Sequence, residues 1–175
     1  SIACAPRVDG SIELHVRAMP QSDNFLRLQE RLILDACLEI ELPFGDIWLG
    51  DAGRMTGETG SETAPLLLLA GSTGFSQAKA LIEGWIGQGC TRPLLLYWGG
   101  RSPQDLYLHD WVLGISGRHE NFHYVPVVSD ALHQWQGRHG FVHKAVLADR
   151  VDLNDVTIIG CGSPPMVYAA YDDFT

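Results

Sequence analysis

The sequence has no apolar stretch long enough to cross a membrane. Its longest apolar run covers residues 65–70, whereas a membrane-spanning helix needs about 20 residues. It is also poor in basic residues, with 12 Lys and Arg against 21 Asp and Glu, so the net charge is −9. Because binding to nucleic acids and to anionic membranes depends on clustered positive charge, the composition argues against both as partners.

Closely spaced cysteines are absent as well. The four cysteines are Cys4, Cys37, Cys90 and Cys161, and no two lie within 30 residues of each other. This spacing excludes a zinc ribbon, a thioredoxin-like CxxC motif and a plant-type iron–sulfur loop. A chain of 175 residues buries enough apolar surface to fold without cross-links. We therefore expect reduced thiols and, since no secretion signal opens the chain, a cytoplasmic protein.

Histidines in two pairs have the spacing of metal ligands on one helical face. The pairs are His119 with His123 and His139 with His143, each four residues apart. No acidic or cysteine partner lies nearby in the sequence, and the first pair runs into a predicted strand. We expect solvated or packed histidines and no metal site.

The pattern of apolar residues changes near residue 60, which predicts two structural parts joined by a linker. In the first part, residues 11–16, 37–42 and 46–49 have the patterns of short strands, and residues 24–34 have helical spacing. Residues 51–63 are rich in glycine and poor in apolar side chains, which is typical of a linker.

From residue 64 onward, buried strands alternate with helices. Runs with the composition of strands buried on both faces are found at residues 66–70, 94–98, 123–128 and 156–160. Helical patterns separate them, at residues 75–86, 103–113, 141–148 and from Pro164. This alternation predicts an α/β fold with a doubly wound parallel sheet.

Three glycine-containing segments follow three of these strands: AGSTGF at 70–75, YWGGR at 97–101 and GCGSPPM at 160–166. Ligands of open α/β sheets bind where the strands end. Small residues let the backbone approach a pyrophosphate, a helix N-terminus holds the anion, and Arg101 adds a cation. Each segment alone is compatible with a tight turn, or with a buried structural thiol at Cys161. Their occurrence together favours a nucleotide site.

These segments, with SIACAP at residues 1–6 and PFGDIWL at 43–49, resemble successive motifs of the ferredoxin–NADP reductase family. The nearest branches are the NAD(P)H:flavin reductases and the reductase modules attached to plant-type ferredoxin domains. The resemblance implies half of an antiparallel flavin-binding β-barrel at residues 1–50 and an NAD(P)H-binding α/β domain at 64–175. It implies NAD(P)H and FAD or FMN as cofactors, hydride transfer from nicotinamide to flavin, and a flavin or iron–sulfur electron acceptor.

The resemblance also implies roles for individual residues. The family's pyrophosphate loop, Gly-Gly-Thr-Gly, matches residues 71–74, with Ser72 in place of the second glycine. Cys161 and Gly162 match the pair beside the nicotinamide, and Ser1 matches the serine near flavin N5. The predicted catalytic residues are therefore Cys161 and Ser1. The predicted cofactor-binding residues are Gly71, Ser72, Thr73, Gly74, Phe75, Arg101, Gly160, Gly162, Ser1 and Ile2.

The chain departs from the family pattern at both ends. The arginine and tyrosine of the flavin motif would precede Ser1, and the family's last strand would follow Thr175. We therefore expect a piece of a reductase whose half barrel holds flavin weakly or not at all. The alternative is a non-catalytic docking subunit that keeps the fold, since an exposed barrel edge favours association, including a homo-oligomer.

The sequence leaves the choice between NADH and NADPH open. Arg101, Ser129 and Arg138 are candidates for binding the 2′-phosphate of NADPH. Asp130, which follows Ser129 directly, argues in the opposite direction.

Overall fold

The structure is a computed structural model that describes residues 1–18, 21–34, 39–41, 47, 50, 63–130, 135–149 and 153–175. The predicted strands at 37–42 and 46–49 and the predicted linker at 51–63 fall largely or wholly outside these residues. The described residues 39–41 and 47 lie outside any strand. The domain boundaries remain a prediction.

Five parallel strands form one sheet in the order β4-β3-β2-β1-β5. Their bounds are β1 Leu66–Gly71, β2 Leu94–Gly100, β3 Phe122–Val128, β4 Arg138–His139 and β5 Thr157–Cys161. The helices are α1 Asp23–Leu34, α2 Phe75–Gly87, α3 His109–Ser116, α4 Val142–Asp149 and α5 Pro164–Phe174, with 3₁₀ turns at Ser72–Gly74 and Pro103–Asp105. This architecture confirms the predicted parallel α/β sheet. In the part of the chain described, no helix has the length and apolar character that a membrane crossing requires.

Strand β1 explains why helices cover both faces of the sheet. Its alternate side chains point to opposite faces, and all of Leu66–Leu69 are at most 1% exposed. Leu66 and Leu68 pack in a core with residues of α2 and α3. Leu67 and Leu69 pack in a second core with residues of α4 and α5. An apolar run without alternation is what such a doubly covered strand requires.

Two sequence predictions differ from the structure around β2. We predicted that the strand ends at Trp98, but Gly99 and Gly100 continue the parallel pairing with β3. We predicted one helix over 103–113, whereas Pro103–Asp105 is a 3₁₀ turn and α3 begins at His109. The Ser102–Asp105 capping box closes the short turn, and Leu106 then leaves helical geometry with its side chain buried.

The amino-terminal segment, residues 1–18, folds back on itself. Ile2 and Leu14 form an isolated antiparallel bridge, and the Ala3 amide donates to the Glu13 carbonyl at 2.8 Å. The predicted regular strand at 11–16 is therefore reduced to a single bridge. The helix predicted at 24–34 is confirmed as α1, and its side chains are not buried within the described part of the chain.

A buried lysine joins this segment to α2. Lys79 is 5% exposed, and its Nζ donates to the Ala3 carbonyl at 2.8 Å and to Glu13 Oε2 at 3.1 Å. It also pairs with Glu83 one turn along α2, while the Ala5 amide donates to the same Glu83 carboxylate at 3.0 Å. A buried ammonium group is stable only when paired in this way. The pairing therefore fixes the amino-terminal segment against α2.

Candidate functional site

A cleft of about 1470 Å³ opens at the carboxyl edge of the sheet. Strands β2 and β5 flank β1 on opposite sides, so the strand order reverses at β1. Such a switch point is where open α/β sheets bind their ligands. The segments that follow β1, β2 and β5 all contribute to the cleft, as the sequence predicted.

Of the eleven residues predicted as catalytic or cofactor-binding, seven line the cleft and four lie outside its lining. Those that line it are Ser1, Gly71, Ser72, Thr73, Gly74, Arg101 and Gly162. Those outside it are Ile2, Phe75, Gly160 and Cys161. The Phe75 side chain is fully buried and stacks on Trp98, with ring centroids 3.8 Å apart. Phe75 can therefore contribute only backbone atoms, at the start of α2.

In the turn after β1, the backbone at the glycine residues lies at the cleft without covering side chains. A Cβ atom on Gly74 would lie 2.6 Å from the Cys161 carbonyl carbon and 2.8 Å from Gly162 Cα, so the first and third predicted segments touch through glycine backbone. Ser72 has a φ of +49°, in the left-handed region where glycine is unstrained. Its carbonyl accepts a hydrogen bond from Trp98 Nε1 at 3.0 Å, which stabilises the turn.

The turn after β2 is held by one carboxylate. Asp105 Oδ2 accepts hydrogen bonds from the amides of Arg101 and Ser102, both at 3.0 Å. These hydrogen bonds fix the backbone at Arg101. Arg101 itself is exposed and lies at the rim of the cleft. A Cβ on Gly99 would lie 2.9 Å from Val142 Cβ, so glycine also allows α4 to approach β2 closely.

The turn after β5 begins at a buried thiol. Cys161 is the last residue of β5 and is 4% exposed. Burial raises the pKa of its thiol to about 11, so the thiol is neutral at physiological pH and is a poor nucleophile. A Cβ on the following Gly162 would lie 2.6 Å from Met166 Cε, so a larger residue there would displace the end of the Met166 side chain.

The amino-terminal segment supplies cleft residues that sequence reasoning missed. Arg17 Nη1 donates to Ser72 Oγ at 2.9 Å, and Arg17 Nη2 lies 3.5 Å from Asp105 Oδ1. His15 also lines the cleft. Nothing in the local pattern distinguishes these two residues, because their position depends on how the segment docks on α2.

Glu13 is the electrostatic centre of this docking. Its carboxylate lies 2.8 Å from His15 Nε2, 3.1 Å from Lys79 Nζ and 2.8 Å from Arg7 Nη2. Hydrogen bonds from His15, Lys79 and Arg7, together with the charge of Lys79, lower the pKa of Glu13 to about 2, against the opposing effect of burial.

On the opposite side, the start of α4 forms a cleft wall that the sequence also did not predict. Phe141 is 67% exposed, and its ring is parallel to that of the buried His143 at 5.7 Å between centroids. His143 Nε2 lies 3.3 Å from Asp173 Oδ2, to which Lys144 Nζ is also bound at 2.8 Å. The sequence predicted a helix over residues 141–148, which α4 matches closely, but nothing in the pattern placed its start at the cleft.

Other predicted features lie apart from the cleft. His119 contacts the edge of Trp85, whereas His139 Nε2 lies 2.8 Å from the Trp135 carbonyl. Within the described ranges, no three His, Cys, Asp or Glu side chains are grouped as metal ligands. Cys4 and Cys161 are free thiols, and Cys37 lies outside the described residues.

Comparison with known proteins identifies the family. The profile of the oxidoreductase NAD-binding domain matches residues 68–172, which is more than half of the chain. The chain belongs to this family. Its relatives are reductases of the ferredoxin–NADP reductase family, so the resemblance predicted from the sequence motifs is confirmed.

The sequence similarity to individual relatives extends over nearly the whole of this chain. It is 36% identical to an NAD(P)H-flavin reductase of Vibrio harveyi, over 100% of this chain and 72% of the relative. It is also 36% identical to a CDP-6-deoxy-L-threo-D-glycero-4-hexulose-3-dehydrase reductase of Yersinia pestis, over 99% of this chain and 50% of the relative. Among solved structures, the Amycolatopsis cytochrome P450 reductase GcoB has a TM-score of 0.79 at 27% identity, over 99% of this chain and 50% of that chain. The chain thus spans from half to about three quarters of these relatives.

Proposed function

We propose that this chain binds NAD(P)H in the cleft and acts in hydride transfer from the nicotinamide to a flavin. The observation that carries the proposal is the convergence of three glycine-containing turns and Ser1 on one cleft at the switch point of a parallel sheet. The family membership of residues 68–172 and the names of the relatives support it. The nicotinamide would supply the hydride and the flavin would accept it, while the protein binds and orients both.

The dinucleotide fits the residues present. The turn at residues 71–74 offers backbone without large side chains, and it leads into α2, whose N-terminus favours an anion. We assign the pyrophosphate to this turn. Arg101, held by Asp105 through its amide, is the proposed contact for the adenosine end.

Ser1, Gly162 and Cys161 are the residues that we propose beside the reacting rings. Ser1 and Gly162 line the same cleft. Cys161 lies directly behind Gly162, and its neutral thiol suits a packing or weak hydrogen-bonding role rather than covalent chemistry. Ile2 is proposed to contact the flavin because it directly follows Ser1 in the chain.

The electron acceptor is proposed at the level of class, as a free flavin or an iron–sulfur partner. The curated relatives are named as a flavin reductase and as the reductase of a dehydrase, which supports an electron-transfer role without choosing between these acceptors. The choice between NADH and NADPH is left to titration.

The test is calorimetric titration of NADH and NADPH into the chain and two glycine variants. Gly74→Ala forces a Cβ against the backbone of residues 161–162, whereas Gly87→Ala, at the end of α2, meets no atom within 4 Å. We expect binding at millimolar concentration or tighter for the wild type and Gly87→Ala, and at least about tenfold weaker binding for Gly74→Ala, which corresponds to about 1.4 kcal/mol.

Failure of both dinucleotides to bind the folded wild type at millimolar concentration would overturn the proposal. A second class of function, a non-catalytic docking subunit, is favoured by the exposed apolar side chains before residue 50, among them Val8, Val16, Ile33 and Leu34. It predicts a folded chain that neither binds NAD(P)H nor oxidises it with added flavin. A homo-oligomer through this surface remains a prediction, which sedimentation analysis tests.

A further inference from the structure

His15 has both ring nitrogens engaged, and the two partners come from different parts of the molecule. Nε2 lies 2.8 Å from Glu13 Oε1 in its own segment, and Nδ1 lies 2.6 Å from the Tyr107 hydroxyl, in the turn between β2 and α3. Burial, with a smaller effect of the Glu13 charge, raises the pKa of Tyr107 to about 12, so the phenol keeps its proton. A phenol that donates to Nδ1 places the imidazole proton on Nε2, facing the Glu13 carboxylate.

The same tyrosine continues the contact toward the turn after β1. The Tyr107 ring packs edge-on against Trp98, at 5.4 Å between centroids and 90° between planes. Trp98 Nε1 in turn donates to the Ser72 carbonyl at 3.0 Å. A series of direct contacts therefore links His15 to the turn that we assign to the pyrophosphate.

His15 also connects to Ser1. The His15 amide donates to the Ser1 carbonyl at 3.4 Å, and the neighbouring bridge between Ile2 and Leu14 holds the two arms of the segment together. The Ser1 carbonyl is thus hydrogen-bonded to the backbone of the residue whose side chain contacts Tyr107.

We propose that Tyr107 and His15 are positioning residues, which together set Ser1 at a fixed place relative to the dinucleotide turns. This inference rests on the proposed function. Its physical basis is that hydride transfer needs the reacting rings in near contact, and a displacement of about 1 Å can cost roughly a hundredfold in rate. Neither residue is assigned contact with a reacting atom.

The chain provides a matched control for the test. Tyr124 of β3 forms a similar pair, with its hydroxyl 3.0 Å from Nδ1 of His109 at the start of α3. This second pair lies entirely within the sheet domain. Tyr107→Phe and Tyr124→Phe therefore remove the same atom from the same kind of pair, but only the first change affects the link to the amino-terminal segment.

The first readout is amide hydrogen exchange, which requires no bound cofactor. In Tyr107→Phe we expect the Ala3 and His15 amides to exchange about fivefold faster, the effect of losing one hydrogen bond of ordinary net strength. The amides of β1 should be unchanged. In Tyr124→Phe the amides of residues 1–16 should keep their wild-type rates. His15→Asn, which removes the Tyr107 contact from the other side, should raise the same two rates by at least as much.

The second readout is NADH oxidation with added FMN. We expect kcat for Tyr107→Phe to fall about tenfold or more while KM for NADH stays within twofold, and Tyr124→Phe to behave as wild type. Unchanged exchange at Ala3 and His15 in both Tyr107→Phe and His15→Asn would overturn the inference. If exchange responds as expected but the wild type binds no dinucleotide, the docking contact stands, and the proposed function and the catalytic meaning of the contact are both overturned.

Discussion

Replacement of Glu13 by glutamine tests whether the docking of the amino-terminal segment is electrostatic. The carboxylate faces Arg7, His15 and Lys79 at 2.8–3.1 Å. A fall of its pKa from 4.5 to about 2 corresponds to about 3 kcal/mol. Because 32% of the Glu13 side chain is exposed, solvent screening reduces the expected contribution to about 1–2 kcal/mol. Lys79 keeps Glu83 as a partner, so the variant leaves no buried charge unpaired.

The stabilisation by the Glu13 carboxylate should depend on pH in a defined direction. Since the folded state holds Glu13 with a depressed pKa, its contribution is fully present above about pH 4.5 and is lost as the pH falls toward 2. Urea unfolding at pH 7 should therefore show a loss of about 1–2 kcal/mol in Glu13→Gln. The difference from wild type should shrink between pH 4.5 and 3. Glu120→Gln, a change at an exposed carboxylate, serves as the control.

A result in which Glu13→Gln and Glu120→Gln have equal stability at pH 7 would refute the reasoning. So would a difference between Glu13→Gln and wild type that stays constant from pH 7 to 3, because the stabilisation would then come from packing or neutral hydrogen bonding.

Two further predictions concern the turns of the cleft. Ser72 has a positive φ, so Ser72→Gly should keep the free energy of unfolding within about 1 kcal/mol of wild type, whereas Ser72→Val should cost about 2 kcal/mol more than glycine; equal urea midpoints for the two variants would contradict the strain argument. The Cys161 thiol, with a pKa of about 11, should react with iodoacetamide at pH 8 at least about a hundredfold more slowly in the folded protein than after unfolding. Its rate should rise as the pH approaches 11, and mass spectrometry of the alkylated peptide measures both; fast labelling in the folded state would contradict its burial.

The elements of the sheet domain could be predicted because each has a strong local signal. The apolar run at Leu66–Leu69 requires cover on two faces, and it forms an interior strand, paired with β2 and β5. The stripe of Ala78, Ile82 and Trp85 on α2 is buried, as its spacing indicated. Strand β4, of only two residues, was missed because its pairing with Val127 and Val128 has no local signal. The start of α3 was misplaced because the burial of Leu106 and a capping box override helical spacing.

The sequence by itself determined the parallel α/β sheet, the order of the three glycine-containing turns and the family. These features depend on backbone freedom and on apolar periodicity, which are properties of neighbouring residues. Only the tertiary structure decided that Phe75 and Cys161 are buried behind the cleft, and that His15, Arg17 and Phe141 line it. The reason is that these positions follow from contacts between distant segments, such as Lys79 with Ala3 and Glu13, which no local pattern encodes.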